Sequence, residues 1–375
     1  MPYEIVRYEP AFRDQVAGLQ RHLWGTDASI NAAYLDWKYH QNPYLADPLI
    51  CLAVDAGRVV GMRGMFGARW EIGTPAEHVV VPCADDFVIA PEHRNRGLVA
   101  QIMNATVDRV AAEGYRHAFS LSAGPVTMMA SLATGWRGAG SMRAAQRKGV
   151  EGLLARASAR LRTLPLLWRY ADPLARLQYR LKGPFAHLDH EAQRAGGPLD
   201  AGVQVEPQPR VDAMADLVRR LGHDGRLRHV RDERYLAWRY RNPLYEYRFL
   251  FREADRLEGY LVLRADRRDP ARGVNIVDWE ATTPALREEL LRAAANWGSF
   301  PDLTIWTATV PIDTLAAVSG AGFVPIGTGS RTRSSHTILV CDTGRPRPAP
   351  DMLLAGRRLL DPDTWDMRMV YSMAG

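Results

Sequence analysis

The pattern of apolar and polar positions changes from that of a strand to that of a helix between residues 79 and 110. Residues 79–81 and 87–89 are short runs of β-branched and aromatic side chains, and Pro91 follows them, which predicts a strand. From Leu98 onward, apolar residues recur at the three-to-four spacing of one helical face. The pattern therefore predicts a strand that passes through a short polar turn into a helix.

The turn between this strand and helix is basic and contains a glycine. Arg94, Asn95, Arg96 and Gly97 stand immediately before Leu98. The first N–H groups of a helix have no intrahelical partner, and the helix dipole adds about half a positive charge there. Gly97 allows the backbone to approach a ligand closely, and the arginines add planar donors with a fixed charge. We therefore predict an anion-binding site at the start of this helix.

These residues resemble the acyl-CoA-binding motif of the GNAT acyltransferases, Arg/Gln-x-x-Gly-x-Gly/Ala after a valine-rich strand. Arg94 and Gly97 take the first two motif positions, and Val99 stands where the motif has Gly or Ala. The resemblance implies that helix-end amides hold the CoA pyrophosphate and that the strand backbone binds the pantetheine arm. The donor-binding residues predicted in this way are Phe87, Val88, Ile89, Arg94, Asn95, Arg96, Gly97, Leu98, Val99 and Ala100. The alternative is an ordinary strand-to-helix connection with surface arginines.

The order of the surrounding elements predicts the fold class. Over residues 1–150 the pattern predicts β-α-α-β-β-β-α-β-α-β, with residues 141–150 as the last strand, which is the order of the GNAT fold. We therefore predict an α/β (α+β) protein. Each of its domains is expected to have a mixed, mostly antiparallel twisted sheet flanked by helices.

A long repeat predicts that the domain is duplicated. Residues 34–43 read Tyr-Leu-Asp-Trp-Lys-Tyr-His-Gln-Asn-Pro, and residues 235–243 read Tyr-Leu-Ala-Trp-Arg-Tyr-Arg-Asn-Pro; repeats at this distance indicate duplicated domains rather than a solenoid. The predicted units are an N-terminal acyl-CoA-binding GNAT domain (1–150), a basic helical linker or insertion (151–200), a degenerate C-terminal GNAT-like domain (201–345) and a tail (346–375).

The second copy differs from the first where the donor would bind. It lacks the Arg-x-Arg-Gly turn, and Glu288 and Glu289 lie near the start of its corresponding helix. Carboxylates suit an empty helix N-terminus but repel a pyrophosphate. We therefore expect that the second copy has lost CoA binding.

Two adjacent acids on the predicted strand are the candidates for a general base. Acyl transfer from a thioester to an amine needs removal of the amine proton and stabilisation of the developing oxyanion. Asp85 lies nine residues before Arg94, where the resemblance places a glutamate base, and Asp86 is the alternative. Strand alternation predicts that the two side chains point to opposite faces. A backbone N–H near Val88 would polarise the thioester carbonyl.

The general acid is not resolved by the sequence. Ser131 stands where the resemblance expects a tyrosine, counted back from Gly135 and Trp136. Cys83 shares the strand face of Asp85, and a small buried cysteine is preferred over a covalent acyl carrier.

Tyr34, Trp37 and Tyr39 of the repeated segment allow two interpretations. On a helix they pack against a neighbour, or they form an aromatic wall over a sugar acceptor. Tandem GNAT proteins with a similar segment are associated with bacterial surface polysaccharide and holdfast synthesis. The resemblance thus suggests a small-molecule, glycan or lipid-linked sugar acceptor.

The linker is strongly basic. Residues 151–183 carry seven arginines and lysines against two acids, together with several leucines and one tryptophan. The segment could contact an anionic inner membrane peripherally, or form linker helices clamped between the domains.

Composition narrows the function class. The chain of 375 residues has a net charge of +6, 47% hydrophobic residues and three widely spaced cysteines, which favours acidic ligands and a reducing compartment. No metal-ligand spacing, nucleic-acid signature or membrane span is predicted, so a cytoplasmic location is expected. The oligomeric state stays open.

Our prediction is an acyl-CoA-dependent N-acyltransferase that uses acetyl-CoA as co-substrate. The alternatives are an aminoacyl-tRNA-dependent transferase acting on a peptidoglycan precursor and a non-catalytic acyl-CoA-binding scaffold.

Overall fold

The computed structural model describes residues 3–148, 185, 202–268, 273–297, 302–326, 337–344 and 352–373. The basic segment 151–183 lies outside these ranges, so its membrane and linker interpretations both remain predictions. None of the helices in the described ranges is long and apolar enough to cross a lipid bilayer.

Helices and strands are numbered in chain order. The α-helices of the described residues are α1 (Arg13–Leu19), α2 (Arg21–Trp24), α3 (Ala28–Leu35), α4 (Leu98–Ala112), α5 (Pro125–Ala133), α6 (Val211–Leu221), α7 (Glu233–Arg239), α8 (Pro284–Asn296) and α9 (Ile312–Gly320). The strands are β1 (Glu4–Arg7), β2 (Leu49–Asp55), β3 (Arg58–Ile72), β4 (Glu77–Ile89), β5 (His117–Ser120), β6 (Arg137–Ser141), β7 (Ala144–Lys148), β8 (Val203–Glu206), β9 (Arg228–His229), β10 (Tyr245–Glu253), β11 (Leu257–Asp266), β12 (Val274–Ala281), β13 (Asp302–Trp306), β14 (Val324–Pro325), β15 (Thr337–Asp342), β16 (Leu353–Leu354) and β17 (Arg357–Arg358).

Local sequence explains where several helices begin. The Asp27 side chain caps α3 by accepting hydrogen bonds from the amides of Ser29 and Ile30, at 2.9 and 3.2 Å. Thr283 caps α8 in the same way, and Pro284 occupies the first helical position. Such caps satisfy amides that would otherwise lack a partner.

Two large mixed sheets and a two-stranded sheet of β16 and β17 form the protein, and the large sheets confirm the predicted fold class. The first has the order β1-β2-β3-β4-β5-β15-β6, with β9 added beside β3, and the second has the order β14-β7-β13-β12-β11-β10-β8. In each large sheet one pair is parallel, β4 with β5 and β12 with β13, and the other pairs are antiparallel. Helices α1 and α3 lie on one face of the first sheet, and α4 lies on the other.

The two sheets exchange strands. Strand β7 pairs with β13 in the second sheet, and β15 inserts between β5 and β6 in the first. The prediction that residues 141–150 form the last strand of the first domain is therefore wrong. The apolar pattern of a segment predicts that it is extended but not which sheet supplies its partner, because partners are set by long-range packing. The domain boundaries at residues 150, 200 and 345 remain predictions.

The repeated segments meet each other at the contact between the copies. The rings of Trp37 and Trp238 stack with centroids 4.9 Å apart and an angle of 11° between their planes. Each indole N–H donates to the backbone carbonyl of the other tryptophan, at 2.7 and 2.8 Å. The repeat thus forms a reciprocal contact in which equivalent residues of the two copies bind one another.

The tail packs against both copies. Trp365 is fully buried, and its ring meets Phe119 of the first sheet edge-on at 5.0 Å. Tyr371 stacks on His229 at 4.1 Å, and Tyr245 donates from its hydroxyl to the carbonyl of Met373. Residues 352–373 are therefore part of the folded body.

We expect the reciprocal tryptophan contact to stabilise the protein cooperatively. Trp37→Phe and Trp238→Phe each remove one donor and leave a buried carbonyl without its partner, so each should lower the free energy of unfolding by about 1–3 kcal/mol. Urea denaturation of both variants and the double variant forms a double-mutant cycle. Strictly additive losses would contradict direct coupling between the two indoles.

Candidate active site

A bulge in β4 brings the two adjacent aspartates together. Asp86 has a φ of 49°, and the register between β3 and β4 shifts opposite it, between Met62 and Gly64. A bulge re-aims side chains that regular alternation would separate. The prediction that Asp85 and Asp86 point to opposite faces is therefore wrong, since both carboxylates reach one lysine.

That lysine is Lys38, which follows α3 in a wider π-helical turn (Asp36–His40). Its Nζ lies 2.7 Å from Oδ2 of Asp85 and 3.1 Å from Oδ2 of Asp86, and it donates to the hydroxyl of Tyr34 at 3.2 Å. The side chain is completely buried. Four aromatic rings lie with their centroids 5.0–5.8 Å from Nζ, those of Trp24, Tyr34, Tyr39 and Phe66.

The electrostatics keep Lys38 charged. Burial alone would lower its pKa, but Asp85 and Asp86 together raise it above the usual range of a lysine. Burial also raises the pKa of Asp86, although the Lys38 ammonium opposes this change. The group thus contains one cation and two acids, and burial makes Asp86 difficult to ionise.

The two acids differ in their surroundings. Asp86 accepts hydrogen bonds from Tyr39 Oη at 2.8 Å, Trp24 Nε1 at 3.1 Å and Gln20 Nε2 at 3.4 Å, and its side chain is fully buried. The Asp85 side chain is 9% exposed and accepts from Ser122 Oγ at 3.0 Å. Asp86 is therefore enclosed by hydrogen-bond donors and inaccessible to solvent, whereas the Asp85 side chain is partly accessible from the cleft.

A cleft of about 190 Å³ opens beside these acids. Strands β4 and β5 pair only at Cys83 and Phe119 and then diverge. The residues that line the opening are Leu23, Trp24, Arg63, Ala84, Asp85, Asp86, Phe87, Ser120, Ser122, Ala123, Gly124 and Thr127. The cleft thus lies where β4 and β5 separate within one sheet.

The predicted anion-binding turn lies at the exposed start of α4. Gly97 is left-handed, with a φ of 76°, no side chain caps the helix, and its first turn carries no acidic residue. Arg94 donates from Nε to the carbonyl of Ile89 at 3.1 Å, and Asn95 is also left-handed, with a φ of 60°. Arg94, Asn95, Arg96, Val99 and Ala100 are exposed, whereas Leu98 is buried beneath them. Uncapped amides beside two arginines fit an anionic phosphate group.

The strand backbone that leads from this turn to the cleft is partly open. The amide of Ala90 donates to Val60 of β3 at 2.8 Å. Alternation along an antiparallel ladder therefore directs the amide of Val88 toward β3 and that of Ile89 toward the opening beside β5. The amide of Ile89, rather than that of Val88, is thus the one directed away from β3 and available to a ligand that extends beyond Phe87.

The second copy provides an internal comparison. Gly61 pairs with Ile89, and Gly259 pairs with Ala281 at the equivalent place. Asp86 lies three residues before Ile89, and Asp278 lies three residues before Ala281, so the two aspartates occupy equivalent positions. Asp278 accepts a hydrogen bond at Oδ2 from the hydroxyl of Tyr240 at 3.4 Å. The Asp86 position is therefore kept in both copies as part of the packing.

Asp85 and Lys38 have no such counterparts. Val277 stands where the first copy has Asp85. Arg239 takes the place of Lys38, but it donates to the carbonyls of Val370 and Ser372 in the tail. At these two sequence positions the acid and the lysine therefore occur in the first copy only, although the second copy has a buried arginine, Arg231, that pairs with Asp278 and Glu280.

The tail reaches into the corresponding cleft of the second copy, a cavity of about 290 Å³. Arg368 donates from Nη1 to the carbonyl of Trp279 at 2.5 Å and forms an ion pair with Glu280 at 2.8 Å. Trp279 is the counterpart of Phe87, so a side chain of the tail binds the strand edge that is open in the first copy.

The three aromatic residues of the repeated segment do not line the first cleft. Tyr34 and Tyr39 are buried around Lys38 and Asp86, and Trp37 is buried against Trp238. These positions favour the packing interpretation. Ser131 is buried and is not among the residues that line the cleft. The Cys83 thiol is also buried, and this burial is the main reason why its pKa is raised.

Sequence reasoning missed four side chains of the site, namely Lys38, Trp24, Ser122 and Arg63. Two of them left a signal in the sequence. Lys38 belongs to the repeat, and Arg63 is a single charge within the apolar run from Val59 to Phe66. Among the described residues, no group of three or more His, Cys, Asp or Glu side chains is arranged to hold a metal ion.

No family model and no curated protein matches the chain. It resembles the crystal structure of a GCN5-related N-acetyltransferase from Anabaena variabilis, with a TM-score of 0.54 and 13% identity over 92% of this chain and 73% of that one. It also resembles a GCN5-related N-acetyltransferase from Kribbella flavida, with a TM-score of 0.51 and 13% identity over 90% and 70%. A third similar structure, from Enterococcus faecalis, is a conserved protein of unknown function described as a probable N-acyltransferase (TM-score 0.53, 9% identity, 91% and 72%). The chain thus has the GNAT fold over most of its length.

We expect Lys38→Met to destabilise the fold in a pH-dependent way. Removing the cation from the fully buried Asp86 and the largely buried Asp85 should cost about 3–5 kcal/mol in the free energy of unfolding. Because the folded-state pKa of Asp86 is raised, its protonated form favours folding, and this contribution is lost as pH rises through that pKa. Urea denaturation should therefore show a larger loss at about pH 8 than at about pH 5.

The control is Lys38→Met combined with Asp86→Asn, which removes the buried charge together with its partner. This double variant should recover part of the lost stability. A loss that does not change with pH would contradict the assignment of Lys38 as counterion.

Proposed function

We propose that the protein is an acyl-CoA-dependent N-acyltransferase whose reaction takes place in the first copy. One observation carries this proposal: a partly accessible acid, Asp85, lines a cleft on β4, the strand that leads to the uncapped N-terminus of α4. The second copy lacks the basic turn and has Val277 at the Asp85 position, and the acid in its cleft, Glu280, is ion-paired with the arginines Arg231 and Arg368. This difference is what a single donor site in a duplicated protein predicts.

The donor would bind along β4. The amides at the start of α4, with Arg94 and Arg96, fit the CoA pyrophosphate, and the amide of Ile89 is free to bind the pantetheine arm. By this proposal the thioester lies in the opening between β4 and β5. In the second copy, Arg368 binds the equivalent strand edge, which supports donor binding by the first copy alone. Acetyl-CoA is the donor that we propose.

Asp85 would act as the general base. The acceptor nitrogen forms a bond to the thioester carbon, its proton passes to the Asp85 carboxylate, and the C–S bond breaks so that sulfur leaves with the electron pair. Lys38 and Ser122 hold the carboxylate in place for this transfer. The negative charge that develops on the thioester oxygen would need a backbone N–H of β4 other than that of Ile89, which this proposal assigns to the pantetheine arm.

The acceptor would reach Asp85 from the face that carries Leu23 and Trp24. An indole ring at the rim of a cleft suits stacking against a sugar. We therefore retain an amino sugar of an envelope polysaccharide, free or lipid-linked, as the proposed acceptor class. Contact of residues 151–183 with the inner membrane would suit a lipid-linked acceptor.

One observation keeps a non-catalytic acyl-CoA-binding scaffold as a second candidate. No tyrosine lines the described cleft as a proton donor for the leaving group, and Ser131 is buried outside it. A scaffold would bind the donor but release no thiol with any amine. An aminoacyl-tRNA-dependent transferase would instead show no affinity for acetyl-CoA.

The first test of donor binding is a calorimetric titration with acetyl-CoA. Gly97→Glu places a carboxylate at the helix N-terminus, where it should repel the pyrophosphate and abolish micromolar binding. Gly97→Ala is the matched control, because it imposes the same left-handed backbone strain without charge. We expect Gly97→Ala to retain more affinity than Gly97→Glu. No binding by the wild type would overturn the proposed donor site.

The second test separates the two acids. Asp85→Asn should lower turnover with an amino-sugar acceptor by about 100- to 10,000-fold, because a general base is lost, while acetyl-CoA affinity stays unchanged. Asp86→Asn should mainly alter stability, since Asp86 is enclosed by Tyr39, Trp24 and Gln20. Thiol release and thermal denaturation measure the two effects. Full activity of Asp85→Asn would remove Asp85 from its role.

A further inference from the structure

Arg63 is a buried arginine in the cleft that has no charged partner among the described residues. It lies on β3, it is only 2% exposed, and it lines the opening with Phe87 and Thr127. No hydrogen-bond acceptor within the described ranges meets its Nη1. Its guanidinium instead lies between two rings, 5.4 Å from the centroid of Phe87 and 5.7 Å from that of Trp136.

Such a group is costly to the folded protein. A buried cation without a counterion loses its hydration and gains little in return. Burial lowers the pKa of Arg63 to about 10, despite the opposing effect of Asp85, so the side chain is still charged at neutral pH. The two rings contribute cation–π attraction but accept no strong hydrogen bond.

The second copy shows that the fold does not require a charge here. Arg63 lies two residues after Gly61, and Leu261 lies two residues after the matching Gly259. Leu261 is fully buried in the apolar core of the second sheet. The position therefore packs well with a leucine in the copy that has Val277 at the Asp85 position.

Arg63 and the acids lie on opposite faces of the sheet. Gly64, the next residue of β3, approaches Tyr39 on the face that carries Lys38, whereas Gly61 approaches Ile102 of α4 on the other face. Alternation along β3 places Arg63 with Gly61, on the α4 side. The cleft thus has a cation on the side that carries α4 and two acids on the side that carries Lys38.

We propose that Arg63 stabilises the thiolate that leaves the acyl donor. Its positive charge would take the role that a tyrosine would otherwise fill by donating a proton to the leaving sulfur. This inference rests on the proposed function. As the amine nitrogen bonds to the thioester carbon, the C–S bond breaks and sulfur keeps the electron pair. The amine proton goes to Asp85, and the thiolate remains beside the guanidinium without taking a proton from it.

The test measures the acidity of CoA bound to the protein. Ultraviolet absorbance follows the thiolate as pH rises, with the titration of the free protein subtracted. A free thiol has a pKa of about 8.5, and an adjacent guanidinium should lower that of bound CoA by about 1–3. The shift should disappear in Arg63→Leu, which copies the second domain, and persist at least in part in Arg63→Lys. Arg58→Leu, an exposed substitution on the same strand, is the control and should keep the full shift.

Turnover provides a second readout. Arg63→Leu should lower kcat by about 100-fold, as loss of a charge-stabilising donor does, with acetyl-CoA affinity unchanged. A role limited to packing would alter stability without changing the pKa of the bound thiol.

The outcomes separate this inference from the proposed function. If the wild type binds no CoA, the proposed donor site fails and the inference fails with it. If the wild type binds CoA but the thiol pKa equals that of free CoA, only the role of Arg63 is overturned. The wild-type measurement alone decides this point, even if Arg63→Leu does not fold.

Discussion

The reciprocal contact between Trp37 and Trp238 is the interaction on which the arrangement of the two copies depends. The two indole rings stack, and each indole N–H donates a hydrogen bond to the backbone carbonyl of the other tryptophan. The contact satisfies both donors in a dry interface, where an unpaired N–H would be costly. It also fixes the turn that carries Lys38, the next residue. The geometry of the candidate active site is therefore set partly by the packing of one domain against the other.

The site itself concentrates charge in a place where water is scarce. Lys38 is completely buried between Asp85 and Asp86, and the rings around it exclude solvent. Groups held in this way cannot reorganise freely, and preorganised charges of this kind are effective in stabilising charge that develops during a reaction. The accessible acid is supported by a lysine and a serine, and the buried acid is held by three neutral donors and the same lysine.

The two copies show how a duplicated fold can divide its roles. Both retain the tyrosine–aspartate contact that packs the bulged strand, represented by Tyr39 with Asp86 and by Tyr240 with Asp278. The first copy adds Asp85, Lys38, Arg63 and the basic turn, whereas the second has Val277, Arg239 and Leu261 at the first three positions. In the second copy the tail enters the cleft through Arg368. Residues shared by the copies thus belong to the fold, and those unique to the first copy are the candidates for chemistry.

The sequence by itself determined the fold class, the duplication, the basic turn before α4 and the pair of acids on β4. These features can be read from the chain itself, since the spacing of apolar residues and the residues of a turn are local, and a repeat is found by comparing two segments of the sequence. The tertiary structure decided the bulge at Asp86, the burial of Lys38, the isolation of Arg63 and the exchange of β7 and β15 between sheets. Each of these depends on strand register or on contacts between distant segments, so the partner of a residue cannot be deduced from its neighbours in the chain. The same reason explains why regular alternation failed for Asp85 and Asp86, because the single residue inserted at a bulge reverses the direction of a side chain.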